Sequence, residues 1–468
     1  MRNILLNTSL VALLLAGCAA NPQALTPAVS LPTTYSQRLD IDTGNAADAD
    51  WRAIFNDARL QALIEHAVHQ NHDLRLALLN VEEARAQHRI TRSAGFPSLD
   101  ASVSQTRSRA PDPFSGQLTE QEQNGASVNL SAFELDLFGR LRAQSSASFE
   151  RYLATEEGRA AAQIALISAV AEAYINESAA QAQLTITEAT LGDWRQSYEL
   201  TRTLHAAGQV GRLELSQSEG LVRQAESDLE AARRGVAQAN GALQLVVGGA
   251  FPPDLPKAQE FMRLGIQTQL PVGLPSDLLT NRPDIRQAER LLQAANADVY
   301  AARAAFFPQI TLTGNYGVGS TDLDKLFSGN QRVWSFTPQI SVPLFRGGAL
   351  KGELRLASVR QSSAVVTYEK TVAVAFKEVS DGLAARATYA NQITAQQLAV
   401  DASTLRLRLS KERYKAGFDS RLELLDAQRS DYASHQSLLQ MKQQEYMAAI
   451  ALYRALGGGA PNVEQRER

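Results

Sequence analysis

The chain is written twice, and no other feature constrains its fold as tightly. Asn71-His72-Asp73-Leu74-Arg75 matches Arg282-Pro283-Asp284-Ile285-Arg286, and Gly95-Phe96-Pro97 matches Phe306-Phe307-Pro308. Leu137-Phe138 matches Leu344-Phe345, and Ala207-Gly208 followed by Leu213-Glu214-Leu215 matches Ala416-Gly417 followed by Leu422-Glu423-Leu424. The offsets run from 207 to 211, so one structural repeat, 51–247, is followed by another, 276–456. A proline-rich linker, 248–275, separates them, and a short tail, 457–468, closes the chain. Each half follows one order: helix, strand pair, very long helix, tight turn, long helix.

The strand pairs alternate. In the second half Ile310, Leu312, Gly314, Tyr316 and Val318 oppose Gln309, Thr311, Thr313 and Asn315. Residues 335–345 repeat the pattern, with Phe336, Ile340 and Leu344 opposite Thr337, Gln339 and Ser341. In the first half the strands are placed at about 98–106 and 126–137, with the phase slipping at Phe133, the mark of a bulge. The polar stretches 107–125 and 319–333 are read as surface loops. Strands with one apolar and one Ser/Thr/Asn face suit a barrel with lipid outside and water inside, and equally a soluble sandwich with one wet face. Four strands cannot close a barrel, for which about eight is the practical minimum, so a barrel would have to be shared between chains.

The helices are long. Residues 140–206 and 350–415 lack proline, and either would extend on the order of 100 Å as one helix. Both end at a glycine, Gly208 or Gly417, before return helices at 210–247 and 419–456. The first return helix carries Leu215, Val222, Leu229, Val236 and Leu243 every seven residues. The second carries Leu425, Tyr432, Leu439, Tyr446 and Tyr453, with Ala427, Ser434, Met441, Ala448 and Ala455 nearly opposite. Seams on two sides imply neighbours on two sides, as in a cylinder of helices; a two-helix stalk would explain the heptads but not the duplicated strands.

Arg2 precedes an apolar run, Ile4 to Leu15, that ends Leu15-Ala16-Gly17-Cys18. Residues 1–17 therefore read as an export signal, too short to span a membrane. Cys18 is the only cysteine, so it has no partner for an internal disulfide. Its context resembles the lipobox of bacterial lipoproteins, which implies a diacylglycerol and an N-acyl chain on Cys18 and a lipidated tether, 18–50. Ala19 follows where inner-membrane lipoproteins of many bacteria carry aspartate, so the resemblance points outward. No later stretch offers 18 uninterrupted apolar residues, so any membrane crossing must use strands. The net charge of −3 leaves no nucleic-acid footprint.

Essentially the whole of 18–459 resembles the outer-membrane factor family, the TolC-like exit ducts, in its OprM-type lipoprotein branch. Glu134-Leu135-Asp136-Leu137-Phe138-Gly139-Arg140 carries the likeness, with Asn281-Arg282-Pro283-Asp284-Ile285-Arg286, Phe307-Pro308-Gln309-Ile310 and Leu422-Glu423-Leu424-Leu425-Asp426-Ala427-Gln428-Arg429. Phe133 departs from it, standing where many relatives have tryptophan. The resemblance implies an α+β membrane protein that assembles as a homotrimer into a 12-stranded outer-membrane β-barrel and a periplasmic α-helical barrel. It also implies a membrane-fusion adaptor and an inner-membrane RND-type transporter as partners, with drugs or other small amphiphiles as cargo.

By the same resemblance, Leu422 would form an apolar ring at a periplasmic gate, and Glu423 and Asp426 acidic ones. Arg421 and Arg429, within a helical turn of those acids, are the expected gate contacts. The turns at Gly208 and Gly417 would dock the adaptor, with Arg212, Leu213 and Glu214 as the surrounding rim. His66, His69 and His72 recur every third residue without a cysteine or a second helix to complete a metal site, and read as surface or junction residues. No nucleophile elbow, phosphate-binding loop or zinc-protease motif is present, so the chain reads as no enzyme and as needing no cofactor beyond the lipid. A lipid-anchored periplasmic adaptor and a duct for protein secretion are the alternatives.

Overall fold

The structure, a computed structural model, describes residues 50–112, 116–271 and 277–458. The export signal, Cys18, the tether up to residue 49 and the tail from 459 lie outside the described residues. Chain contacts define two compact units, and each draws on both sequence halves. One comprises Asn80–Thr155 and Gln287–Glu369; the other takes Glu156–Arg286, the described residues up to Leu79 and those from Lys370 onward. Among the described residues no helix is long and apolar enough to cross a membrane.

The first unit carries all four strands: β1 (Leu99–Pro111), β2 (Leu118–Leu135), β3 (Gln309–Ser320) and β4 (Arg332–Ser341). They form one antiparallel sheet in the order β1-β2-β3-β4, one hairpin from each sequence half. Register aligns the apolar positions into rows across the sheet. Leu99, Leu130, Gly314 and Phe336 make one row; Ala101, Val128, Tyr316 and Trp334 make the next. The opposite face is a polar ladder, in which Asn129 Nδ2 donates to Ser102 Oγ (2.9 Å) and Asn315 Nδ2 to Asn129 Oδ1 (2.6 Å). The apolar face is bare: Val103 is 85% exposed and Ile340 67%.

The register shifts between Leu130 and Phe133, and Ala132 adopts φ 44°, so the bulge sits where the alternation slips. The segment 107–125 is mostly strand rather than loop, because β1 runs to Pro111 and β2 resumes at Leu118. Polar residues on both faces hide that ladder from an alternation test. It is held by charge pairing instead: Arg107 meets Glu122 at 3.2 Å, and Arg109 stands opposite Glu120 in register. Likewise β3 extends to Ser320 and β4 begins at Arg332, which shortens the expected loop at 319–333. Strand β4 carries Pro338 opposite Leu312 and stops at Ser341, short of the expected end at 345.

The helices that join the sheet are set by short local motifs. Glu134 pairs with Arg140 (2.5 Å), and Asp136 accepts from the backbone N–H groups of Leu141 and Arg142 (3.2 and 2.9 Å). A carboxylate on the first free amides of a helix satisfies donors that otherwise lack partners. Phe138 stacks on Phe307 with ring centres 4.9 Å apart.

Within the second unit the chain starts with α1 (Trp51–Ile54) and α2 (Ala58–Gln70), followed by the opening turns of α3 (His72–Ser93). The long helices are α4 (Arg140–Ala206) and α8 (Ala349–Lys415), each 67 residues, and the return helices are α5 (Arg212–Val247) and α9 (Arg421–Ala455). Two further helices, α6 (Asp277–Asn281) and α7 (Pro283–Ala304), meet at Arg282, with Pro283 as the first helical residue of α7. Both α4 and α8 end in a left-handed glycine, Gly208 (φ 71°) and Gly417 (φ 77°). Gln209 N–H reaches Leu204 O and Phe418 N–H reaches Arg413 O, both at 2.9 Å, the six-to-one bond that ends a helix with glycine. Return-helix residues Val222, Ala225, Leu229 and Leu425 pack with Leu191 and Trp194 in a buried cluster.

The duplication is also a duplication of contacts. Asn71 Nδ2 donates to Val246 O (2.8 Å), near the end of the first return helix. Its matching residue, Arg282, donates from Nη1 to Ala455 O (2.8 Å), at the end of the second. A glycine permits each approach. A Cβ on Gly248 would lie 2.9 Å from the Gln70 carbonyl, and one on Gly457 would lie 2.9 Å from Asn281 O. Each half thus clasps the end of its return helix to the start of its own repeat.

Candidate functional site

The turn between α8 and α9 brings most of the candidate residues together. Ser420 caps α9, its hydroxyl accepting from Glu423 N–H (3.3 Å), in the Ser-x-x-Glu spacing of a helix start. Helical spacing then splits the segment. Leu424, Leu425, Ala427 and Gln428 are buried, while Leu422 (64% exposed), Glu423 and Asp426 occupy the open side. Leu422 thus stands exposed beside two carboxylates, outside the packed side of α9.

The cation that meets these acids is one the helical-turn argument misses. Arg406, on α8, places Nη2 2.7 Å from Glu423 Oε1 and 2.7 Å from Asp426 Oδ2. Hydrogen bonds to Glu423 and then Asp426 raise the guanidinium pKa above its ordinary value. Arg421, expected on the acids, points the other way. It is 5% exposed and donates to Ser218 Oγ (3.0 Å) and Ser197 Oγ (2.9 Å), with its guanidinium carbon 5.2 Å from the centre of the Tyr414 ring. No carboxylate among the described residues pairs with it, and burial pushes its pKa below the ordinary arginine value. As the first residue of α9 it lies on the buried stripe with Leu424 and Leu425, whereas the acids lie on the other side. Arg429 is exposed and joins no ion pair among the described residues. Two further pairs brace the region, Lys411–Asp193 and Arg413–Asp419, both at 2.8 Å.

In the first repeat Leu213 is 68% exposed, like Leu422. Among the described residues no cation pairs with Glu214 as Arg406 does with Glu423; its carboxylate folds back over Gly211, 2.7 Å from where a Cβ would stand there. Around Gly208 and Gly417 nothing would approach a Cβ within 4 Å, so both turns are open on their outer side. His66 and His69 lie on α2 and His72 begins α3, beyond the helix break at Asn71. Among the described residues no cluster of three His, Cys, Asp or Glu could hold a metal ion.

The sequence model of one family, described as outer membrane efflux protein, matches residues 63–249 and again 274–458. It finds the two repeats separately, in step with the duplicated clasps. The chain belongs to the outer membrane efflux protein family. Similar relatives include the probable efflux pump outer membrane protein TtgC of Pseudomonas putida, 41% identical over 98% of this chain and 96% of that one. The solvent efflux pump outer membrane protein SrpC of Pseudomonas putida is 43% identical over 96% of both. The cation efflux system protein CusC of Escherichia coli is 40% identical over 96% of this chain and 98% of its own. Among solved structures, the open-state outer membrane channel MtrE of Neisseria gonorrhoeae superposes with a TM-score of 0.87 at 36% identity, covering 95% and 99% of the two chains. A CusC crystal structure gives 0.85 at 39% identity, covering 94% and 100%. The chain is therefore an outer-membrane channel component of an efflux pump, and the adaptor reading is set aside.

Proposed function

We propose that three copies of the chain form one passive duct, fed from the periplasm and opening outside the cell. The four-stranded sheet carries this reading. Its outer strands β1 and β4 each have one edge without a partner among the described residues, one face is apolar and the other is a hydrogen-bonded polar ladder. Edges of this kind must be paired or covered, and closing four strands per chain into a common barrel does so with lipid on the apolar side. The long helices of the three copies line a periplasmic tunnel. Leu422, Glu423 and Asp426 form its gate, a narrow apolar ring that excludes water beside carboxylates that repel anions. The Gly208 and Gly417 turns receive a periplasmic adaptor, which links the duct to an inner-membrane RND-type transporter. Cys18, outside the described residues, carries the lipid anchor.

The cargo we assign is small organic amphiphiles, as in the relatives named for solvent and antibiotic efflux, rather than the cations of CusC. Deleting the gene and scoring growth against toluene, an organic dye, copper and silver tests this. The expected result is sensitivity to the organic compounds with unchanged tolerance of the metals; the reverse pattern would assign the duct to cation export.

A further inference from the structure

We propose that Arg406 is the counter-charge that sets the ionic selectivity of the gate and clamps it shut, a role that rests on the trimeric-duct reading above. One guanidinium nitrogen holds the two acids of the gate at once, each at 2.7 Å, and joins α8 to α9 across the Gly417 turn. The clamp leaves one net negative charge per chain on this trio instead of two. In a ring of three copies that halves the fixed charge a permeating ion meets. It also ties the acid-bearing start of α9 to α8, so movement of either helix away from the other must first break both pairs.

The neighbouring cations Lys411, Arg413, Arg421 and Arg429 are engaged elsewhere or stand apart. Lys411 is on Asp193 and Arg413 on Asp419, Arg421 is buried against Ser197 and Ser218, and Arg429 is exposed without an ion pair among the described residues. Arg406 itself borders an open groove of about 670 Å³ whose lining includes Leu405, Leu409, Phe418 and Glu423. The clamp is therefore reached by solvent: the Arg406 side chain is 42% exposed and those of Glu423 and Asp426 are 49% and 61%. Exposed pairs of this kind are weak and screened by salt, over a distance of about 8 Å at physiological ionic strength. Those are suitable properties for a latch that must release.

The test is the reversal potential of the full-length protein in planar bilayers under a potassium chloride gradient, with open probability recorded in parallel. Both Arg406→Ala and Arg406→Gln are expected to raise the cation-to-anion permeability ratio several-fold and to open more often. Arg406→Lys should stay near wild type, because a single ammonium can also bridge two carboxylates. Raising the salt should screen the fixed charge in every form and so shrink the difference in reversal potential between wild type and the neutral variants. Neutral variants with the wild-type reversal potential, or a lysine variant that behaves like alanine, would overturn the proposal while leaving the duct intact. A wild-type protein that does not conduct at all would instead remove the duct reading, and this inference with it.

Discussion

Replacing Arg282 with alanine is expected to destabilise the second unit by about 2 kcal/mol, below the range for a fully buried pair because the carboxylates that meet this buried arginine are 39% and 37% exposed. Arg282 is a buried basic side chain that meets three partners at once. Its side chain is 7% exposed and pairs with Asp284 at 2.6 Å and Glu378 at 2.8 Å, while donating to the Ala455 carbonyl. Burial pulls its pKa down, yet Asp284 and Glu378 together outweigh that and hold it above the ordinary arginine value. Truncation would take the donor from the last carbonyl of α9 and leave Asp284 and Glu378 to be solvated by water. Because the guanidinium uses its forked geometry on Asp284, Arg282→Lys should recover only part of the loss. Thermal unfolding of the purified protein followed by circular dichroism measures both. A melting temperature for Arg282→Ala equal to that of wild type would show that the clasp does not hold the repeat.

The second large effect is expected at the two clasp glycines. Gly248 and Gly457 have φ of 96° and 100°, where an L-residue with a Cβ is strained by roughly 1–2 kcal/mol. At each site the added carbon would also sit 2.9 Å from a backbone carbonyl, which cannot swing aside as a flexible side chain could. Gly248→Ala and Gly457→Ala should therefore both lower stability, and by similar amounts, because the contacts are copies of one another. Gly352→Ala is the control: it lies inside α8 with nothing within 4 Å of its Cβ, so alanine should be neutral or stabilising there. Unfolding midpoints in urea compare the three. A harmless Gly457→Ala beside a harmful Gly248→Ala would mean that the clasp is not duplicated in energy, whatever its geometry.

The sequence exposes this fold unevenly, and the reasons are physical. The long helices were legible because proline is absent from 140–206 and because glycine ends each one in a left-handed turn. The bulge was legible because a period of two cannot absorb an extra residue, so the alternation breaks visibly at Phe133. The upper part of the β1–β2 hairpin was not legible, since Arg107 and Glu122 stabilise a ladder without any apolar period. Leu422, Glu423 and Asp426 are singled out as gate residues by resemblance alone, and helical spacing by itself gives no reason to separate them from Arg421. Side-chain direction separates them, since one residue of rotation carries Arg421 from the acid side to the buried side. Arg406 escaped because its partners lie 17 and 20 residues away, across the turn. One signal could have found it: about an antiparallel turn at Gly417, residues a comparable distance before and after face one another. Asn71 and Arg282 were legible as a repeat match, while their clasping role required the far ends of the return helices.

Single-channel recording in a planar bilayer, comparing wild type with the Leu422→Ala, Asp426→Ala double variant, tests the trimeric duct most directly. A gated duct predicts small, cation-selective openings in wild type. It predicts much larger ones when the leucine ring and one acid of the clamp are removed together. A folded, assembled protein that conducts in neither form would contradict the duct, and equal conductance in both would contradict the gate.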